Sequence, residues 1–258
     1  MNILTIGDVV GTAGCEHIRN RLSAFKKLKS IDVCIINGEN SSDGNGITPA
    51  SAQYLFDSGA DVLTTGNHAY RRKEMYEYMD EDCAVVRPAN FSSKNPGRGY
   101  YIVDKGSFQI AVINLMGVMY LDALENPFDC IDRLLLQDDI KNCKIKLVDF
   151  HAEATSEKRA MGFYIDGRVS AIFGTHTHVQ TADEQVLQNG TGYITDIGMS
   201  GVIQSVLGVK PQIIIEKFKT NMPARFDNES GECSMCGCIF EIDNRTGKTL
   251  SVERVDIR

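Results

Sequence analysis

Short apolar runs alternate with amphipathic stretches along the first two-thirds of the chain, which is the pattern of an α/β fold. Residues 2–6, 32–36, 62–64, 84–86, 110–113, 145–150 and 169–173 read as strands. Helical spacing falls between them, from about residue 16 to 28 and over 49–58, 72–79, 128–140 and 156–165, with Thr48 placed to cap the second helix. From Gln185 onward the texture changes. Residues 192–196, 212–218, 238–242 and 251–256 read as strands joined by turns rich in Gly, Asn and Asp, with 244–247 as a hairpin connection. No internal repeat, low-complexity tract or Pro/Ser-rich linker divides the chain. A single domain over 1–258 is expected, its C-terminal β-rich half packed on the α/β half.

Five strand ends share a feature that changes this picture. Each runs into a turn carrying potential metal ligands: Gly7-Asp8, Gly38-Glu39-Asn40, Gly66-Asn67-His68, Asp149-Phe150-His151 and Gly174-Thr175-His176-Thr177-His178. Loops at the carboxyl ends of sheet strands are where ligands gather in open α/β folds. The glycines before Asp8, Glu39 and Asn67 let the backbone turn sharply. Taken singly, each turn has a plainer reading: Asp8 as a turn former, His68 in a surface turn, His151 as a satisfied core histidine. His176 and His178 would share one face if they alternate along a strand. Four of the five histidines fall in these turns, with His17 alone elsewhere, which argues against independent coincidences.

The donor set narrows the chemistry. Asp8, Glu39, Asn40, Asn67, His151, His176 and His178 offer oxygen and imidazole nitrogen without thiolate, which suits Mn, Fe, Co or Zn at a catalytic site. Seven donors exceed what one ion uses with a position left for water. A carboxylate bridging two ions about 3.5–4 Å apart would use them all, and a water between such ions is a ready nucleophile on a phosphate ester.

Composition sets limits. The 258 residues are 43% hydrophobic and 24% charged, enough for a sizeable core, and no run of eighteen apolar residues suggests a membrane span. The opening MNILTIGDVVG reads as a strand and not as a leader, so a cytoplasmic location is expected. A net charge of −7 without a basic block excludes duplex nucleic acid as a partner, and leaves a small anionic substrate met by metal charge. Of eight cysteines, Cys15, Cys34, Cys83, Cys130 and Cys143 are scattered through strand and helix patterns, where free thiols are expected. Cys233 and Cys236 have CxxC spacing but no second pair follows; the segment reads as a β-turn with Cys238 entering a strand.

The order GD…GEN…GNH…H…GTHTH resembles the calcineurin-like metallophosphoesterase superfamily. Glu39 stands where most members carry Asp. With GDVVG at 7–11, RPANF at 87–91, DFHAEATSEK at 149–158 and GTHTHVQTADEQVL at 174–187, the chain is similar to the YmdB-like bacterial phosphodiesterases over nearly its whole length. The resemblance implies a four-layer α/β/β/α sandwich, a dinuclear iron or manganese site, a homo-oligomer, and activity on cyclic nucleotides, notably 2′,3′-cyclic ones. It implies Asp8, Glu39, Asn40 and His178 as ligands of one metal. Glu39, Asn67, His151 and His176 would hold the other, with Glu39 as the bridge and His68 as proton donor. The chain departs from the family pattern at Ser41-Ser42-Asp43-Gly44-Asn45, Ala69-Tyr70-Arg71 and Val118, where no ligand is lost but base recognition is affected. Two alternatives use the same residues: a phosphomonoesterase or nucleotidase on this scaffold, and a regulatory nucleotide-binding protein whose turnover is incidental.

Overall fold

The computed structural model describes residues 1–81, 83–106 and 108–258. Period-two alternation along its strands sorts apolar side chains into different cores. In β1 (Asn2–Ile6), Ile3 joins one core while Leu4 and Ile6 join another; in β7 (Gln109–Met116), Ile110 and Val112 face one way, Ala111 and Ile113 the other. Strands that bury both faces must be covered on both faces. Two sheets achieve this.

The first sheet runs β2 (Asp8–Val9), β12 (Met199–Val202), β13 (Cys233–Ile242), β1, β3 (Ile31–Asn37), β4 (Val62–Thr64) and β5 (Val85–Val86), with β14 (Thr249–Ile257) also paired to β13. From β1 to β5 the neighbours are parallel; β13 is antiparallel to β1. The second sheet runs β10 (Gln185–Val186), β11 (Gly192–Ile194), β9 (Ala171–Thr175), β8 (Ile145–His151), β7 and β6 (Tyr100–Asp104), with β7, β8, β9 and β11 parallel. Ile3, Val33, Ile35, Val112, Leu147, Phe173 and Phe240 form the layer between the sheets. On the outer face of the first sheet, Ile18 and Leu22 of α1 (Gly11–Leu28), Leu55 of α2 (Pro49–Ser58) and Met75 of α3 (Met75–Asp80) pack on Leu4 and Ile36. Beyond the second sheet, Ile131 and Leu134 of α4 (Pro127–Leu135), Ile140 of α5 (Asp138–Asn142) and Met161 of α6 (Thr155–Tyr164) pack on Ala111, Ile113 and Val148. The layers are therefore α/β/β/α, as the resemblance implied.

Several sequence expectations change. Residues 212–218 form not a strand but a helix, α7 (Pro211–Thr220). Three consecutive isoleucines favour extended chain, yet burial falls at Ile213, Ile214 and Lys217, which is helical spacing, and Pro211 sits in the first turn where its missing N–H is no loss. The expected helix over 128–140 is two, because Gln137 is extended (φ −67°, ψ 135°) between α4 and α5. Strands after Gln185 join both sheets and do not form a separate β half. The CSMCGC segment is a regular strand from Cys233 and not a turn. Cys233 and Cys236 consequently point to opposite faces, so the CxxC spacing brings no thiol pair together. Thr48 does cap α2: its hydroxyl accepts from Ser51 N at 3.2 Å, and the Ser51 hydroxyl accepts in return from Thr48 N at 3.0 Å.

Candidate metal centre

Both sheets end their parallel strands at the same edge of the sandwich, so the turns after β1, β3, β4, β8 and β9 meet there. The close approach demands glycine. A Cβ on Gly7 would lie 1.8 Å from Gly198 O, one on Gly174 1.8 Å from Thr195 O, and one on Gly66 2.3 Å from His151 Nε2 and 2.4 Å from Glu39 Oε2. The last contact places the backbone after β4 directly against two candidate ligands.

The structure brings all eight sequence-derived residues together. His151 Nε2 lies 2.9 Å from Asn67 Oδ1, 3.0 Å from His176 Nδ1 and 3.3 Å from Glu39 Oε2. Glu39 Oε1 faces the other way, accepting from Asn40 Nδ2 at 2.9 Å and lying 3.2 Å from His68 Nδ1. Asn40 Nδ2 is also 3.4 Å from His178 Nε2, which stands 3.6 Å from Asp8 Oδ1. Since Asn40 uses its amide nitrogen on Glu39, its Oδ1, 2.9 Å from His68 Nδ1, is an acceptor, and His68 carries the proton on Nδ1.

His176 and His178 reach the site differently from the alternation expected. Strand β9 ends at Thr175, and both histidines take left-handed backbone, φ 96° and 64°. Non-glycine residues in that region are strained and concentrate at functional sites. The turn is pinned from outside. Buried Lys158 donates to Thr175 O and to Asp196 Oδ2, each at 2.7 Å, and Asp196 Oδ2 also accepts from Thr177 N and Thr177 Oγ1.

Behind His151 lies a polar relay. His151 Nδ1 is 2.9 Å from Thr175 Oγ1, which donates to Asp149 Oδ1 at 2.7 Å; Asp149 Oδ2 accepts from Thr64 Oγ1 and Asn37 Nδ2. Burial pushes the Asp149 carboxyl up to about 7, against the pull of these hydrogen bonds. Burial likewise lowers His151 to about 4, so the imidazole is neutral, the form that ligates metal. Burial opposes charge on Asp8 and His178, but their mutual attraction prevails, holding Asp8 below the ordinary carboxylate range and His178 above that of imidazole. Glu153, half-exposed, lies 3.2 Å from His176 Nε2.

The donor set fits metal. Asn67 Oδ1, Glu39 Oε2, His151 Nε2 and His176 Nδ1 aim lone pairs at one point, which repels unless a proton or cation lies between them. Ligand atoms of Glu39, His151 and His176 all fall within 4.8 Å of one another. Asp8 Oδ1 is buried and, among the described residues, accepts no hydrogen bond, a costly state for a carboxylate without a cation.

Thr175, Asn37, Lys158 and Asp196 were not singled out in the sequence as parts of the site. For Thr175 and Asn37 the only linear signal is adjacency to the ligand turns, and for Lys158 a place at the end of DFHAEATSEK; Asp196 has none. A cleft of about 450 Å³ opens over the centre, bounded by Glu39, His68 and His176 below and by Leu207, Phe218 and Phe226 above.

The family model of YmdB-like proteins matches residues 4–255. The chain is 44% identical over 255 residues to the 2′,3′-cyclic-nucleotide 2′-phosphodiesterase of Bacillus subtilis, covering 99% of this chain and 96% of that one. A crystal structure of a novel phosphatase from Mycoplasma pneumoniae superposes with a TM-score of 0.93 at 33% identity, covering 100% and 93%. The NAD nucleotidase of Haemophilus influenzae shares the fold, at TM-score 0.58 and 13% identity over 99% of this chain and 55% of that one.

Proposed function

The chain belongs to the YmdB-like family, a group of phosphoester hydrolases, and from that membership we propose that it hydrolyses 2′,3′-cyclic nucleotides at a dinuclear metal centre. The name of the Bacillus subtilis relative supports the substrate class. The division of Glu39 carries the reading: Oε2 turns to His151, while Oε1 turns to the side of Asn40 and His68, so the two oxygens of one carboxylate face different parts of the site. Asp8, Asn40 and His178 would complete one group, and Asn67, His151 and His176 the other, with Glu39 shared. The oxygen–imidazole set is compatible with manganese, iron, cobalt or zinc, and the family resemblance points to iron or manganese among them.

Cations held there supply a water of lowered pKa and compensate phosphate charge. The chain's own residues do the rest. Thr175 and Asp149 orient His151 so that Nε2 faces the site. Lys158 and Asp196 hold the strained His176–His178 turn in place. His68, fixed by its Nδ1–H on Asn40, leaves Nε2 to the cleft; as an imidazolium, protonated on both nitrogens, it would hand the Nε2 proton to the departing 2′-oxygen, a group too basic to leave as alkoxide, and keep the Nδ1 proton. The cleft walls Leu207, Phe218 and Phe226 provide an apolar face for the nucleoside.

The test is a panel of 2′,3′-cyclic, 3′,5′-cyclic and monoester nucleotides turned over by wild type and Glu39→Gln. Preference for the 2′,3′-cyclic compounds, lost with Glu39→Gln, supports the reading; preference for monoesters replaces it with a nucleotidase.

A further inference from the structure

In a 2′,3′-cyclic nucleotide both the 2′ and 3′ oxygens are held in the cyclic ester. Any further phosphate can therefore be attached only through the 5′ oxygen. A second cleft, of about 700 Å³, adjoins the one over the metal centre and shares Asn45, Lys217, Phe226 and Asn228 with it. Its walls carry Arg71, Arg72, Lys217 and Arg225, a concentration of positive charge in a chain of net charge −7.

Arg72 is built into the groove, and Arg71 and Arg225 stand exposed along it. The Arg72 guanidinium donates to the backbone carbonyls of Asp43 and Asn45, which carry no net charge. Gly46, at φ +89°, packs so tightly that a Cβ would stand 3.0 Å from Arg71 Cβ and 2.9 Å from Arg72 Cγ. Of the nearby carboxylates, Asp227 pairs with Lys210, and Asp43, which lines the groove and accepts from the neutral Thr12 and Asn228, leaves one negative charge against four positive ones. Lys217 Nζ sits 4.6 Å over the Phe226 ring, so a cation and an aromatic face meet where the clefts join. Residues 43–45 and Arg71, from segments that depart from the family pattern, come together in this wall. Positive charge tracking the backbone, with an aromatic ring such as Phe226 beside it, is how single-stranded nucleotide chains are held.

We infer that this groove is a second phosphate subsite, which takes the 5′-phosphate of the nucleotide whose cyclic phosphate lies at the metal centre. The substrate class then extends from cyclic mononucleotides to nucleotides phosphorylated at the 5′ oxygen, as at the end of a short RNA strand. The inference rests on the nucleotide reading above, because it places the reacting phosphate at the metals.

Binding tests it independently of turnover. The full-length metal-loaded protein is titrated calorimetrically with 3′-AMP, with adenosine 3′,5′-bisphosphate, and with the dinucleotide ApAp bearing a 3′-phosphate. Arg71→Ala/Arg225→Ala is titrated alongside. At low salt, a second phosphate should tighten binding about tenfold or more, and the gain should shrink as salt rises. In the double variant it should largely vanish. A gain for both longer ligands means the groove reads phosphate alone; a gain confined to ApAp means it needs the chain. Either upholds the subsite. Affinities within about twofold of 3′-AMP for both ligands, or a gain untouched by the double variant, overturn it. If the variant fails to fold, the salt dependence in wild type decides: equal salt slopes for 3′-AMP and ApAp overturn the subsite. Turnover of 2′,3′-cyclic AMP, measured in parallel, shows separately whether the activity itself stands.

Discussion

Thr175 Oγ1 lies 2.9 Å from His151 Nδ1 and donates a hydrogen bond to Asp149, so the hydroxyl ties a candidate ligand to a buried carboxyl. Partners of this kind orient metal-bound histidines, and their loss typically weakens metal binding about 10–100-fold. Thr175→Val, nearly the same shape without the hydroxyl's hydrogen bonds, should weaken metal affinity within that range and regain part of its activity in excess metal. Metal titration followed by activity reads this out; unchanged affinity would remove Thr175 from the site.

His68 makes a contrasting prediction. His68→Ala should keep metal content while kcat falls by about 10²–10⁴ on a 2′,3′-cyclic nucleotide. On an ester with a nitrophenol leaving group, which departs without protonation, the fall should be much smaller. Equal losses on both substrates would show that His68 does not act as the acid.

Lys158 and Asp196 are both buried and paired at 2.7 Å. Breaking such a pair leaves a buried charge uncompensated and typically costs about 3–5 kcal/mol. Lys158→Met should lower the melting temperature strongly and also weaken metal binding, since Asp196 anchors Thr177 between the two histidines. A stable variant with unaltered metal affinity would contradict the anchoring role.

Gly66 is a steric test of the same centre. In Gly66→Ala the new methyl would overlap His151 Nε2 and Glu39 Oε2, both backed by packed strands. Metal content of the purified variant should fall well below that of wild type, although the site loses no donor. Normal metal loading would show that β4 and its turn sit farther from the ligands.

Much of the centre was legible in the sequence because its ligands lie in turns at strand ends, Asp8, Glu39 and Asn67 directly after glycine, where position and chemistry coincide in a few residues. Glu39 and His151 could be found without knowing the fold. Thr175, Asn37 and Lys158 could not, since each acts through partners 17 to 138 residues away that only the packed sheets bring near. Helix α7 was misread for a related reason. Its isoleucines favour extended chain in isolation, and the choice of helix follows from which side chains the cleft wall buries. The left-handed turn at His176 and His178 had no sequence signal either, because glycine, which usually marks such backbone, is absent there.

Metal analysis of purified protein, alongside turnover of 2′,3′-cyclic AMP before and after chelation, tests the central claim most directly. The account predicts about two transition-metal ions per chain, activity lost with their removal and restored by manganese or iron. Full activity in a metal-free protein would contradict it.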